Sequence, residues 1–259
     1  MATFQIDTSF LDSIKSHIRQ GNNALLKKKL KPIHYADIAE IIETLSIEEA
    51  TYIIKLLKSE TTADALTEVD PDTREQILDN LSIKEIAREV SELKTDDAAD
   101  LILELPEARK EKVMSQIKDD EHVKDIRDLI RYDENTAGGL MAKELVKVEE
   151  NLSVLKCLNK MRAQAENVTR VHSIYVVDQN NVLKGRLSLK DLITANSIDK
   201  VKDIYIPKVD FVTVDQENEE VAKIMSKYDL EAIPVVNNKK ELLGRITIDD
   251  IVDVIKEEA

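Results

Sequence analysis

Apolar residues recur every twelve positions through the first half of the chain: Leu45, Leu57, Val69, Leu81, Leu93, Leu105 and Ile117. Three positions before each stands another: Ile42, Ile54, Leu66, Leu78, Val90, Ile102 and Met114. A pair three apart shares one helical face. Twelve residues leave room for about two to three helical turns and a connection. The pattern predicts short amphipathic helices, each too short to be stable alone and stacked on its neighbours. Ser46 with Glu49, Thr95, and Pro71 after Asp70 read as helix caps and stops. A solenoid is a shape rather than an activity; its extended surface serves docking.

From about residue 140 the pattern changes to short apolar runs that occur twice. Leu145-Val-Lys-Val148 returns as Phe211-Val-Thr-Val214, and Ile174-Tyr-Val-Val-Asp178 as Ile233-Pro-Val-Val-Asn237. Gly185-Arg-Leu-Ser-Leu-Lys-Asp-Leu192 matches Gly244-Arg-Ile-Thr-Ile-Asp-Asp-Ile251. The first copy carries extra residues around Ala163–Val171. Each copy reads as strand, helix, strand, tight turn, strand, helix, with hairpin turns at Asn180-Asn181 and Asn237-Asn238. Gly185 and Gly244 would permit a positive φ in the turn. Ser188 and Thr247 should cap the next helix, with Asp191 and Asp250 in its first turn.

Composition narrows the function. The 259 residues allow two or three domains. With 37 basic and 51 acidic side chains, no Trp and 3% aromatics, nucleic acid is a disfavoured partner and an anionic membrane should repel the chain. Cations are the natural counterpart. Cys157 is alone and suits a reducing compartment as a small core residue, and the four histidines lack zinc-ligand spacing. Neither a secretory signal nor an apolar run of about 20 residues is present. No P-loop, dinucleotide loop or nucleophile–His set is present, so an enzyme is not expected.

The repeat resembles the cystathionine-β-synthase (CBS) domain, which occurs in tandem; Gly-x-h-Ser/Thr-x-x-Asp, where h is apolar, carries the resemblance. In nucleotide-binding members the Asp takes ribose hydroxyls and the Ser/Thr approaches phosphate. That implies Ser188, Asp191, Thr247 and Asp250 as a site for ATP or another adenosine nucleotide. Many pairs bind nothing, their Ser/Thr and Asp only starting a helix, and both readings stand.

Between solenoid and repeat lies Tyr132-Asp-Glu-Asn-Thr-Ala-Gly-Gly-Leu-Met141. The chain has five glycines and two are adjacent here. Gly138 and Gly139 read as a boundary and hinge. Helical repeats, Thr136-Ala-Gly-Gly-Leu-Met141 and two CBS motifs, with Asp96-Asp-Ala-Ala-Asp-Leu101 and Asp249-Asp-Ile-Val-Asp253, together resemble the cytoplasmic portion of the MgtE family of magnesium channels and transporters. The resemblance implies a multidomain α plus α/β protein. Its parts are a right-handed superhelix of short helices over 1–132, a hinge over 133–142, and CBS domains over 143–200 and 201–259. It also implies a homodimer through the CBS domains and a transmembrane pore missing from this sequence. The chain is then a soluble fragment belonging at the cytoplasmic face of the membrane.

Magnesium wants about six oxygens and keeps several waters, so one or two carboxylates per ion suffice. Asp96 and Asp100 are four apart on one helix; Asp250, Asp253 and Glu257 step by three and four along the last one. Taken alone, such acids usually form a solvated face. The family implies that they hold regulatory Mg2+ between domains: Asp64, Asp96 and Asp100 on the solenoid, and Glu219, Asp229, Asp250, Asp253, Glu257 and Glu258 on the CBS side. Bound ions would favour closure and inhibit influx. The competing reading is a nucleotide-binding regulatory module.

Overall fold

The computed structural model describes residues 6–166, 168 and 170–257; for Asp253, Lys256 and Glu257 it describes the helical backbone alone. The chain divides into two compact units. One holds the residues up to Leu93 and Asp97–Ile126; the other holds Lys94–Asp96 and the residues from Arg127 on.

The first unit is all helical. The helices, with the start of α8 and the end of α10 falling in the second unit, are α1 (Thr8–Arg19), α2 (Asn23–Leu30), α3 (Tyr35–Glu43), α4 (Ile47–Leu56), α5 (Ser59–Glu68), α6 (Pro71–Asp79), α7 (Ile83–Val90), α8 (Thr95–Glu104), α9 (Glu107–Met114) and α10 (Asp120–Leu129). From α3 to α9 each helix starts twelve residues after the last. Only one residue of each recurring pair lies inside its helix. Ile42, Ile54, Leu66, Leu78, Val90, Ile102 and Met114 are the buried residues at the helix ends, while Leu45, Leu57, Val69, Leu81, Leu93, Leu105 and Ile117 sit in the connections. Leu45, Leu81, Leu93, Leu105 and Ile117 each donate their backbone N–H to the carbonyl three residues back. That bond tightens the last turn and tucks the side chain under the helix end.

Capping follows the sequence. Ser46 with Glu49 and Ser82 with Glu85 form capping boxes, and Asp70 caps α6 with Pro71 in its first turn. The helices stack in alternation: α3 on α5, α5 on α7, α7 on α9, and α4 on α6. Arg74 of α6 reaches Glu104 of α8 through Nε at 2.9 Å and donates to the carbonyls of Leu66, Thr67 and Val69.

The second unit carries α11 (Ala137–Leu140), β1 (Val146–Glu149), α12 (Val154–Ala165), β2 (Ile174–Val177), β3 (Leu183–Leu187), α13 (Leu189–Thr194), α14 (Val201–Ile204), β4 (Val212–Thr213), α15 (Asn218–Tyr228), β5 (Ala232–Val236), β6 (Leu242–Thr247) and α16 (Ile248–Glu257). Two three-stranded sheets, β1-β2-β3 and β4-β5-β6, have one topology: the first pair parallel, the second antiparallel. All of Ile174–Val177 is buried, as a strand covered on both faces requires. The extra residues of the first copy fall between α12 and β2. The hairpins meet: Leu183 N–H donates to Lys240 O and Leu242 N–H to Asn181 O. Behind them Tyr175, Val177, Leu183, Val236 and Leu242 form a core shared by the two copies.

Both hairpins turn on an acceptor side chain. Asp178 Oδ1 takes the N–H groups of Asn180 and Val182; Asn237 Oδ1 takes those of Lys239 and Glu241. The left-handed residue is Asn181 in the first turn but Lys240 in the second, not an Asn of the Asn237-Asn238 pair.

Gly185 and Gly244 do not use the positive φ that glycine permits. Both are strand residues, and their glycine identity comes from close approach. A Cβ on Gly185 would lie 2.1 Å from Ile206 O, and one on Gly244 would lie 2.7 Å from Ala142 O. Gly138 and Gly139 are likewise packed. They lie in the one-turn helix α11, where added Cβ atoms would meet the Tyr132 ring at 2.6 Å and Asp133 O at 2.5 Å. Ala137 N–H donates to Gln216 O and Gly138 N–H to Val214 O, which ties the segment to the second CBS copy. Steric crowding at this junction is one reason for the glycine pair.

Candidate functional site

Strand β3 ends at Leu187, and Ser188 caps α13. Its hydroxyl accepts the Asp191 N–H at 3.0 Å and donates to Asp191 Oδ2 at 2.6 Å. Strand β6 delivers Thr247 to α16 in the same way. There Asp250 Oδ2 accepts the Thr247 N–H at 2.8 Å and lies 3.0 Å from the hydroxyl, which also meets Asp249. Both Ser/Thr–Asp pairs thus stand where the sequence puts them, at equivalent strand–helix junctions. Their polar atoms are mutually satisfied, which is what a helix start alone would need. Burial raises the Asp250 carboxyl above its usual range, the Thr247 N–H opposes this, and the neighbouring Asp249 charge adds to it. Asp249 goes the other way: burial raises it, but the Thr247 hydroxyl and Lys94, with Nζ 3.5 Å away, outweigh burial and hold it low.

Two buried groups nearby were not singled out by sequence. Arg245, 6% exposed on β6, reaches Arg170 O at 3.4 Å, while its Nε makes no hydrogen bond among the described residues. Tyr175 on β2 is 2% exposed, and its hydroxyl is also without such a bond. Burial pushes that phenol up to about 12, with the charges of Arg245 and Arg186 pulling the other way. Unsatisfied buried donors are rare and ask for a partner. The available signal was the Gly-Arg pair repeated at Gly185-Arg186 and Gly244-Arg245.

The acids expected to bind metal lie on several elements. Asp64 is half-buried on α5; on α8 Asp96 is 7% exposed and Asp100 exposed. Glu219 opens α15 and pairs with Lys223 at 3.3 Å. Asp229 is the left-handed C-cap of α15, with φ 54° and ψ 48°. Ten residues along a helix is about 15 Å, so Glu219 and Asp229 cannot share one ion. Glu258 and the side chains of Asp253 and Glu257 lie outside what the structure describes. Among the described residues no three acids, histidines or cysteines are grouped to hold a metal ion. An ion that keeps most of its waters fits such sites, because it needs only one or two carboxylates.

At the head of α8, within the second unit, Glu144 accepts the Thr95 N–H at 3.0 Å and the Thr95 hydroxyl at 2.8 Å through separate oxygens. The Lys143 N–H donates to the same hydroxyl at 2.8 Å. Outward apolar side chains lie elsewhere: Ile248, Val252 and Ile255 follow one face of α16, and Leu155, Ile193 and Ile198 are exposed in the first copy.

Residues 33–135 match the model of the MgtE intracellular N domain, and 137–197 and 201–257 that of the CBS domain. A crystal structure of the cytosolic domain of the Mg2+ channel MgtE in complex with ATP is 32% identical, with a TM-score of 0.87, over 94% of this chain and 99% of that one. The chain belongs to the MgtE family. The soluble part of a magnesium transporter aligns with a TM-score of 0.83 at 28% identity, over 96% of this chain and 98% of that one. The magnesium transporter MgtE of Thermus thermophilus is 36% identical over 256 residues, 95% of this chain, and that of Enterococcus faecalis is 38% identical over 135 residues, 52% of this chain. The chain spans 55% of the Thermus protein's length and 30% of the Enterococcus one's. Among the described residues no helix is long and apolar enough to cross a membrane.

Proposed function

We propose that this MgtE-family chain is the cytosolic Mg2+-sensing region of a magnesium transporter or channel. Mg2+ bridges acidic faces of the N and CBS domains and favours a closed state that limits influx. The observation that carries the reading is the match of fold and sequence along nearly the whole chain to an MgtE cytosolic domain. Its physical basis is charge: at −14 the acidic faces repel until a divalent ion replaces repulsion with bridging. Asp64, Asp96, Asp100, Glu219, Asp229, Asp250, Asp253, Glu257 and Glu258 are the proposed ligands, spread over several weak sites. The exposed Ile248, Val252 and Ile255 face gives a second copy an apolar surface, consistent with a homodimer through the CBS pair. Solution scattering tests the sensor. Millimolar MgCl2 should shrink the radius of gyration where NaCl of equal ionic strength does not, because screening cannot tie two domains to one ion. Superimposable profiles would sink it.

A second role rests on a separate observation. The 32% identical relative is described in complex with ATP, and this chain keeps both Ser/Thr–Asp junctions with orphaned buried donors at Arg245 and Tyr175. An adenosine nucleotide would meet ribose acceptors at Asp191 or Asp250 and a guanidinium suited to phosphate. It could couple to Mg2+, since Asp250 serves both ligands. Calorimetric titration with ATP in EDTA, repeated on Asp191→Asn, decides it; no heat from the unmodified chain would remove this role.

A further inference from the structure

The net charge of −14 hides a local reversal. From Ser13 to Ala36 the chain has no Asp or Glu, while Lys15, Arg19, Lys27, Lys28, Lys29 and Lys31 give the stretch +6 with histidines neutral. The rest then holds 31 basic against 51 acidic side chains, a balance of −20. Helix α2 buries Leu26 and Leu30 and leaves Ala24, Leu25, Lys27 and Lys28 exposed, as are Lys31 and Pro32 after it. Lys29 is tied down: its Nζ donates to Ser13 Oγ at 2.8 Å and lies 5.6 Å from the Phe10 ring centre. None of the six makes an ion pair among the described residues, whereas Arg74, Arg109, Lys143 and Lys160 all do. A cation in the last turn complements the helix dipole, but several like charges three and four apart repel. The fold alone does not explain the cluster.

We propose that the exposed face of α2, with Lys28 near its middle, Leu25 on one flank and Lys27 and Lys31 on the other, docks on a layer of anionic phospholipid headgroups. Leu25 is 40% exposed beside Lys28 at the edge of this face, where an apolar side chain can enter between headgroups while ammonium groups meet phosphates. A nucleic acid would want stacking surfaces, and here Phe10 is covered by Lys29 while Tyr35 lies against His34, ring centres 4.2 Å apart. The acidic remainder repels any polyanion, but its field is screened beyond about 8 Å at physiological salt, so a plane touched through α2 meets the basic patch first. The sensor role would hold the chain beside a membrane, where a weak patch suffices through local concentration. Lipid contact is measured on the chain alone in EDTA, so its failure is distinct from a failure of magnesium sensing.

The experiment is co-sedimentation with vesicles of phosphatidylcholine mixed with phosphatidylglycerol, against phosphatidylcholine alone, at about 150 mM monovalent salt, where the acidic remainder is screened. The chain should bind the mixed vesicles only. The triple change Lys27→Glu, Lys28→Glu, Lys31→Glu should weaken binding by about tenfold or more. Leu25→Ser should weaken it without changing charge. Lys202→Glu, Lys223→Glu, Lys239→Glu, an equal charge change on exposed lysines elsewhere, should leave it nearly intact. If the first triple melts early, Gln at the same three positions replaces it. The proposal is overturned if the unmodified chain ignores the mixed vesicles or if both triples lose binding equally. Preferential capture of an oligonucleotide or an acidic peptide would overturn it too.

Discussion

Glu89 is a charged residue in an environment at odds with its chemistry. It is fully buried in the solenoid, where the Thr62 hydroxyl lies 2.5 Å from Oε2 and Arg88 NH2 3.0 Å from Oε1. Burial raises its carboxyl above the usual range, and the Thr62 and Arg88 contacts only partly oppose this. A protonated Glu89 would donate to Thr62, freeing the Thr62 hydroxyl for Lys58 O, 3.2 Å away. A carboxyl whose folded pKa is raised contributes stability that is complete below the unfolded pKa and lost as pH rises through the folded value. The neutral, near-isosteric Glu89→Gln should therefore gain about 1 kcal/mol at neutral pH and match the unmodified chain in acid. Paired thermal melts across that range measure this; a gain that persists in acid would assign it to packing rather than charge. Cys157, whose thiol burial pushes up to about 11, is correspondingly inert.

At the scale of elements, the one-turn helix α11 is a crowded junction. Gly139→Ala should cost roughly 2 kcal/mol or more, because its Cβ would meet backbone rather than a movable side chain. A hinge reading expects the opposite, two intact domains with altered swing; differential scanning calorimetry separates them by whether the CBS transition falls. The helix starts were legible because the twelve-residue interval and the Ser46 and Ser82 boxes are local chemistry. Leu45 and its equivalents were misplaced by a few residues, since a 3₁₀-type closing bond reads like one more helical position. Of the candidate site, the Ser188 and Thr247 junctions were legible from their motif. That Asp229 also serves as a left-handed cap was not legible, since φ is not written in composition. Thr95 with Glu144, and the orphaned Arg245 and Tyr175, depend on pairings between residues far apart in sequence, which one chain without relatives does not reveal.

For the whole molecule, charge is the dominant unsolved tension. Excluding the basic segment, −20 is carried by little more than 230 residues. Self-repulsion of that kind destabilises compact states and is relieved by counterions. Raising NaCl from about 20 to 200 mM should lift the apparent melting temperature by a few degrees, since the screening length shortens severalfold. Magnesium at matched ionic strength should add to it by mass action if it binds the folded state. A melting temperature that falls with NaCl would mean that attractive pairs such as Arg74–Glu104 outweigh the repulsion.

The stacking of α3 on α5 on α7 on α9, with α4 on α6 between, gives the solenoid a parity. Excising one helix and its connection would shift every later helix to the opposite row and present its buried stripe to partners built for the other set. Excising two in succession would restore the alternation, leaving one new seam. Length variation in this architecture is therefore expected in steps of twenty-four residues rather than twelve.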